Sequence, residues 1–398
     1  MFTVTDVIVL ILMLCAFAVA TSEFIIIGVM PEVAGDLGVS LPTAGLLVTA
    51  YAVAVAVGGP VLTVVARNLP RRPLLVGLMA LATGAAVLSA LAQTYPLLMG
   101  ARILGALAQG LFLSVASQVA IASVPEEKQT AAIAKVVNGI ALSTVLGVPI
   151  GTLIGQANGW RASFVLVAAL GLIGLIGVLV FCPKVDHEPE PTVRESISAF
   201  RKPAILLGLA TTVLSFTGMI TAFTYVSPTL REVTGFAPGW VTGVLLIYGL
   251  GTMAGSWIAG RVPPNRIARV LPFTITALGT VLLLHGLLMQ TKVTSVLSLF
   301  LLGTSAFATG PLLHTFLMGQ AGPASGLVAS VNISAFNAAA ALGPILGGAV
   351  ITGGLGLGSV GLFAAVPTVV GIGVALVIAG HTRRRATAVA QPVLAGTT

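Results

Sequence analysis

VIVLILMLCAFAVATSEFIIIGV, residues 7–29, is an unbroken apolar run with one charged side chain, Glu23, inside it. About 20 largely apolar residues are enough for a helix to cross a bilayer's hydrocarbon core. The run therefore predicts a transmembrane helix. A charge at that depth costs about 2.5–3.5 kcal/mol even on lenient insertion scales. A chain that keeps one there uses it either as a structural ion pair or as a group that binds a proton or a ligand. The N-terminus has no basic leader, and the run far exceeds the 7–15 residues typical of a signal-peptide core. It is expected to remain as the first span.

The remainder of the chain repeats the pattern. Of 398 residues, 57% are hydrophobic and 8% charged, against about 25% charged in soluble domains. This excludes a large soluble domain. Twelve spans are expected, near residues 7–30, 42–66, 74–94, 97–122, 131–155, 162–182, 203–226, 239–260, 269–290, 295–317, 326–352 and 359–380. The 47 glycines suit helices packed closely in lipid. A net charge of +8 does not point to nucleic acid, because the cations sit in short loops. Fifteen of them, including Arg67, Arg71, Arg72, Lys128, Arg261 and Arg383–Arg385, fall on one side. Only Arg161, Arg231 and Lys292 fall on the other. The positive-inside rule then puts both termini in the cytoplasm. Arg102 alone is left for the membrane interior. Cys15 and Cys182 give no disulfide framework and no metal spacing.

Pro183 to Lys202 is the longest polar stretch. It reads as a linker, dividing residues 1–182 from 203–380, with a basic, unstructured tail over 381–398. The halves resemble each other. Arg67-Asn68-Leu69-Pro70-Arg71-Arg72 after the second span matches Arg261-Val262-Pro263-Pro264-Asn265-Arg266 after the eighth in its Arg, Pro and final Arg. Val137-Asn138 and Gly147-Val148-Pro149-Ile150-Gly151 in the fifth span match Val331-Asn332 and Gly343-Pro344-Ile345-Leu346-Gly347 in the eleventh, one residue longer. Parallel repeats of six helices place a binding site between them at the midplane.

Several stretches carry a resemblance. They are Thr21-Ser22-Glu23-Phe24 on to Pro31 through Ser40, Leu69-Pro70-Arg71-Arg72-Pro73, Ala101-Arg102-Ile103-Leu104-Gly105, and Leu146 through Thr152 followed by Gly159-Trp160-Arg161. In these the chain resembles the major facilitator superfamily over nearly its whole length. Within it the chain is similar to the twelve-helix drug:proton antiporters, near the chloramphenicol-efflux and sugar-efflux branch. The resemblance implies an all-α membrane fold of two six-helix bundles related by a pseudo-two-fold axis along the membrane normal. It implies a monomer in the bacterial cytoplasmic membrane, whose partners are a small-molecule substrate, protons and lipid, with no cofactor and no metal. Gly147, Pro149 and Gly151 match the family's antiporter motif. The family's loop between the second and third spans has an acidic residue where this chain has Ala66-Arg67, so its charge latch does not transfer. Arg71 and Arg72 either bind carbonyls at a helix end or act as topology signals.

The resemblance also implies that Glu23 and Arg102 face one central cavity; the alternative is that Arg102 hydrogen-bonds helix-end carbonyls and never meets Glu23. Burial favours a protonated carboxyl and a nearby Arg favours the ionised one. A balance that changes as the cavity opens alternately to each side would couple a proton to conformation. Phe17, Tyr51, Asn138, Phe216, Phe223, Tyr248, Asn332 and Asn337 are the candidates to line a substrate cavity. The asparagines serve equally as interhelical glue. His285 and His314 are read as packing residues or as a relay. Glu32 and Asp36 are read as an exposed loop or a proton entry. Gly139, Gly147, Gly151 and Gly155 form a small-residue face, kinked by Pro149 and expected to make a seam between the halves; the alternative is ordinary helix packing. No Walker loop and no Ser–His–Asp context is present. The expected activity is proton-coupled export of small amphipathic, chloramphenicol-like drugs. The alternative is efflux of sugars or other small metabolites. A non-transporting receptor or membrane enzyme is the more distant rival.

Overall fold

The computed structural model describes residues 4–66, 68–183 and 200–394. Arg67 and most of the expected linker thus lie outside the described residues. The described residues form helices and no strands. Twelve segments are long and apolar enough to cross a membrane, each within a few residues of the span read from sequence.

The first half runs α1 (Val4–Gly28), a short α2 (Met30–Asp36), α3 (Leu41–Val65), α4 (Arg71–Ala90) and α5 (Tyr95–Ala122). It continues with α6 (Gln129–Leu142), α7 (Val148–Asn158) and α8 (Trp160–Phe181). The second half runs α9 (Pro203–Thr224), a short α10 (Val226–Glu232), α11 (Pro238–Gly260) and α12 (Ile267–Leu288). It closes with α13 (Lys292–Ala321), α14 (Ser325–Thr352) and α15 (Val360–Leu394). Local chemistry sets the ends. Ser40 caps α3 by accepting the Thr43 N–H at 3.2 Å, as an N-cap hydroxyl does. Gly159, at φ 85°, lets the chain turn between α7 and α8. The last helix continues to Leu394, where sequence reading expected an unstructured tail from His381. No Gly or Pro interrupts residues 381–391.

The fifth span is α6 and α7 joined by a π-helical turn over Ser143–Gly147. The cause is local. Pro149 has no N–H, and its ring crowds the carbonyl four residues back, that of Val145. Widening the turn there relieves the clash, so the proline produces a π-turn.

The glycine face of this span corrects the expected seam. A Cβ on Gly139 would meet the Met13 carbonyl; one on Gly147, Gly151 or Gly155 would meet Thr21, Ile25 or Val29. Those partners all lie on or just beyond α1, at intervals of eight and then four residues. The stripe therefore closes α6–α7 onto α1 within the first bundle. The bundles meet on another face, where Gly249 of α11 lies against the backbone of Thr144 and Val145 in the π-turn.

The bundles share a core at one end only. One buried cluster joins Ile25–Val33 and Leu47 of the first bundle to Phe216–Leu230, Tyr248 and Ala339–Ala341 of the second. Toward the end that carries Arg71, Arg261 and Arg266, two separate clusters form, one per bundle. The molecule is closed at one end and divided at the basic end.

Candidate functional site

Glu23 sits on the last turns of α1, held there by the Gly147 and Gly151 contacts with Thr21 and Ile25 on either side. Its carboxylate Oε2 accepts from Gln109 Nε2 at 2.5 Å. Gln109 is fixed in turn, because the Tyr51 hydroxyl donates to its Oε1 at 2.7 Å. The amide therefore presents its N–H groups, not its carbonyl, to the acid. The second carboxylate oxygen has no hydrogen-bond partner among the described residues, and Glu23 is partly exposed.

Arg102 on α5 is 2% exposed and lies over the Tyr51 ring, 4.2 Å from its centroid. Its guanidinium does not grip the Glu23 carboxylate. One nitrogen donates to the Glu23 backbone carbonyl at 2.8 Å and another to the Ser22 carbonyl, while Nε has no partner. The cation is thus pinned beside the acid without forming an ion pair with it. The arrangement brings a positive charge near a carboxylate that keeps one oxygen open. Such an acid can gain and lose a proton without dismantling its surroundings.

The other sequence candidates do not gather around it. Tyr51 joins the site as a positioning group. Phe17 is partly exposed on α1 below Glu23, and Asn138 is exposed on α6. Phe223 and Tyr248 stack at 4.2 Å and are almost wholly buried in the shared core. Phe216 meets Phe336 edge-on at 5.0 Å. Asn332 accepts from Thr212 and faces His314. Asn337 donates to the Ile333 carbonyl at 3.0 Å, and its Oδ1 has no partner. His285 is 4% exposed and bonded to Ser298 at 2.9 Å, which fits a packing residue. Arg72 donates to the Leu179 carbonyl in the last turn of α8 at 2.8 Å, and Arg71 is buried.

Gln109 was missed. A signal existed: it lies seven residues after Arg102, close to two helical turns, and so on the same face of α5.

At the closed end Glu32 and Asp36 lie on α2 rather than in an open loop, and both are paired. Arg231 of the second bundle donates to Glu32 at 2.6 Å. Ser227 donates to the Gly28 carbonyl at 3.0 Å, and Thr49 to the Ala341 carbonyl at 2.9 Å, also across the bundles. Asp36 accepts from Trp160 Nε1 at 3.1 Å and Arg161 at 2.7 Å, within the first bundle.

Two predictions arise here. The Glu32–Arg231 side chains are 20% and 29% exposed, so the pair is worth about 1 kcal/mol after screening, or about fivefold in a conformational ratio. Arg231→Glu is expected to raise thiol labelling of a cysteine placed at Val33 by about that factor. The exchange Glu32→Arg with Arg231→Glu should restore protection; no change in either variant would show that the pair does not hold the end closed. The bonds from Trp160 and Arg161 hold the Asp36 carboxyl below its usual range. A depressed folded value stabilises above the ordinary carboxylate pKa, about 3.9, and that stabilisation is lost as pH falls through the folded value. Melting curves of wild type and Asp36→Asn should differ modestly at neutral pH, draw together as pH falls below about 4, and merge only below the depressed folded value. A gap that persists there would contradict this source of stability.

Comparison with known proteins gives a consistent picture. The family model described as Major Facilitator Superfamily matches residues 12–336. The chain is 36% identical to the "Uncharacterized MFS-type transporter YfhI" of Bacillus subtilis, over 87% of each chain. It is 34% identical to a "Chloramphenicol resistance protein" of Streptomyces lividans, over 89% of this chain and 92% of that one. Among solved structures, a bacterial homolog of the human lysosomal transporter Spinster, in an inward-facing and unoccupied conformation, superposes with TM-score 0.72. It is 16% identical and covers 96% of each chain, a likeness of fold.

Proposed function

The chain belongs to the major facilitator superfamily, and from that premise we propose that it is a proton-coupled antiporter exporting small amphipathic, chloramphenicol-like molecules. It is a multi-pass membrane transporter. The proton and the drug are our reading.

The observation that carries it is Glu23: a partly exposed carboxylate in a span, with one oxygen bonded to Gln109 and the other open. Arg102 is beside it but spends its donors on carbonyls. The ionised acid is favoured by the cation and by the Gln109 N–H, and the protonated acid by burial. Opening the closed end would change the burial of Glu23 while leaving Arg102 pinned to the α1 backbone. Proton affinity would then differ between the two states, as coupling requires.

On this reading the basic end faces the cytoplasm, and the molecule rests open to that side. Residues 1–182 and 203–380 rock as two bodies about the α3–α14 and π-turn–α11 contacts. One charge moved across about 150 mV supplies about 3.5 kcal/mol, enough to hold a gradient of a few hundredfold for a neutral substrate. The resemblance to a relative named for chloramphenicol resistance supports the drug class.

The test is expression in a chloramphenicol-sensitive bacterium. Wild type should raise tolerance and Glu23→Gln should not. Unchanged tolerance with wild type, together with altered accumulation of a labelled sugar, would move the substrate to the metabolite class.

A further inference from the structure

Three side chains on three helices of the second bundle form a polar layer that the mechanism above does not use. Thr212 of α9 donates to Asn332 Oδ1 of α14 at 2.7 Å. Asn332 Nδ2 faces His314 Nδ1 of α13 at 3.3 Å. Thr212 and Asn332 are 2% and 8% exposed, and His314 is partly open. His314 and Asn332 each lie seven residues inside the basic end of their helices, about 10 Å at 1.5 Å per residue. That is the depth at which the two bundles have separate cores.

The hydrogen bonds fix the chemistry offered. The Thr212 hydroxyl has one proton, and its bond to Asn332 is shorter than its alternative to the Gly208 carbonyl, 3.3 Å. Asn332 Oδ1 is therefore the acceptor, and Nδ2 points at the histidine. Two donors do not face each other, so His314 Nδ1 holds a lone pair and Nε2 holds the hydrogen. No partner for Nε2 is found among the described residues. The layer presents one N–H donor from an uncharged ring.

One turn further in, an apolar layer covers the polar one. Phe216 and Phe336, each four residues along from Thr212 and Asn332, pack edge-on at 5.0 Å. Gly310, four residues before His314, makes room, since a Cβ there would touch the Phe216 ring at 3.1 Å. Nearby on α14, the unpartnered Oδ1 of Asn337, a residue 5% exposed, adds a buried acceptor.

We propose that the Thr212–Asn332–His314 layer is a substrate subsite in the second bundle, taking an uncharged aromatic molecule through an acceptor group bonded to His314 Nε2. The proposal rests on reading the chain as an exporter of small amphipathic molecules. It adds where the cargo sits and which charge state is accepted. His314 contacts the cargo; Thr212 and Asn332 position the imidazole.

The experiment measures equilibrium binding of labelled chloramphenicol and of ethidium, a permanent cation, to the full chain in lipid nanodiscs. Wild type should bind chloramphenicol the more tightly. His314→Phe, which keeps a flat ring and removes the donor, should weaken chloramphenicol binding about tenfold. His314→Gln keeps an N–H and should stay within about threefold of wild type. Thr212→Val, a near isostere that frees the Asn332 amide, should fall between them and guards against a misfolded His314→Phe. Wild-type affinity in both His314→Phe and Thr212→Val overturns the subsite. So does tighter binding of ethidium than of chloramphenicol, or no binding of chloramphenicol by wild type. Glu23→Gln, assayed beside them, should retain saturable chloramphenicol binding. If it also transports on a pH gradient as wild type does, the coupling scheme falls while the subsite stands. Intact binding by His314→Phe and Thr212→Val with lost coupling in Glu23→Gln is the reverse case.

Discussion

Glu23→Gln is expected to abolish chloramphenicol accumulation driven by a pH gradient in proteoliposomes, leaving exchange of labelled for unlabelled drug within about threefold of wild type. The substitution is close to isosteric. The new side-chain oxygen can accept from Gln109 Nε2 as the carboxylate does, and Arg102 keeps its bonds to the Ser22 and Glu23 carbonyls, which belong to the backbone. The fold should therefore survive. What is lost is a group that ionises. The amide mimics the protonated acid in both conformations, so the difference in proton affinity between states vanishes. Without that difference no proton is carried, and about 3.5 kcal/mol of driving force at about 150 mV is lost. A gradient of a few hundredfold should collapse to equality. Accumulation at the wild-type level would remove Glu23 from the coupling.

Gly249→Val is expected to shift the conformational ratio away from the closed-end state by about 5- to 150-fold. A side chain at this position meets backbone: the Val145 Cα and the Thr144 carbonyl of the π-turn across the bundle interface. Backbone cannot step aside as a flexible side chain can. Overpacking of this kind costs about 1–3 kcal/mol, and each 1.4 kcal/mol is tenfold. The cost falls on the state in which α11 and the π-turn touch, because separating the bundles relieves it. Spin-label distances between α2 and α10 should lengthen in the variant, with the melting temperature little changed. Unfolding without a change in those distances would mean that this contact supports the fold and does not discriminate between states.

Much of the fold was legible because lipid imposes simple constraints. Twelve apolar runs gave twelve spans, and the resemblance between Gly147–Gly151 and Gly343–Gly347 correctly pointed to two bundles of six. Less of the site was legible. The Glu23 and Arg102 residue types are unusual enough in a span to stand out. Whether the guanidinium meets a carboxylate or a carbonyl depends on the depth at which α1 sits beside α5. That depth is set by glycines on a third element, α6–α7, and a single chain does not reveal which helix a glycine stripe will meet. The stripe was expected between the halves and instead holds α1. Pro149 was expected to kink its helix, and the strain was taken up in a π-turn. Gln109 carried a periodicity clue, but it gains meaning only when Tyr51 is seen to fix its amide. Glu32 looked like a loop acid because its partner, Arg231, is 199 residues away.

The central claim is that one acid exchanges a proton as the cargo binds. It is tested most directly by adding chloramphenicol to purified, weakly buffered protein and following a pH indicator. Wild type should release up to one proton per drug bound, and Glu23→Gln, at drug concentrations that saturate it, should release none. Equal proton release from both would contradict the account.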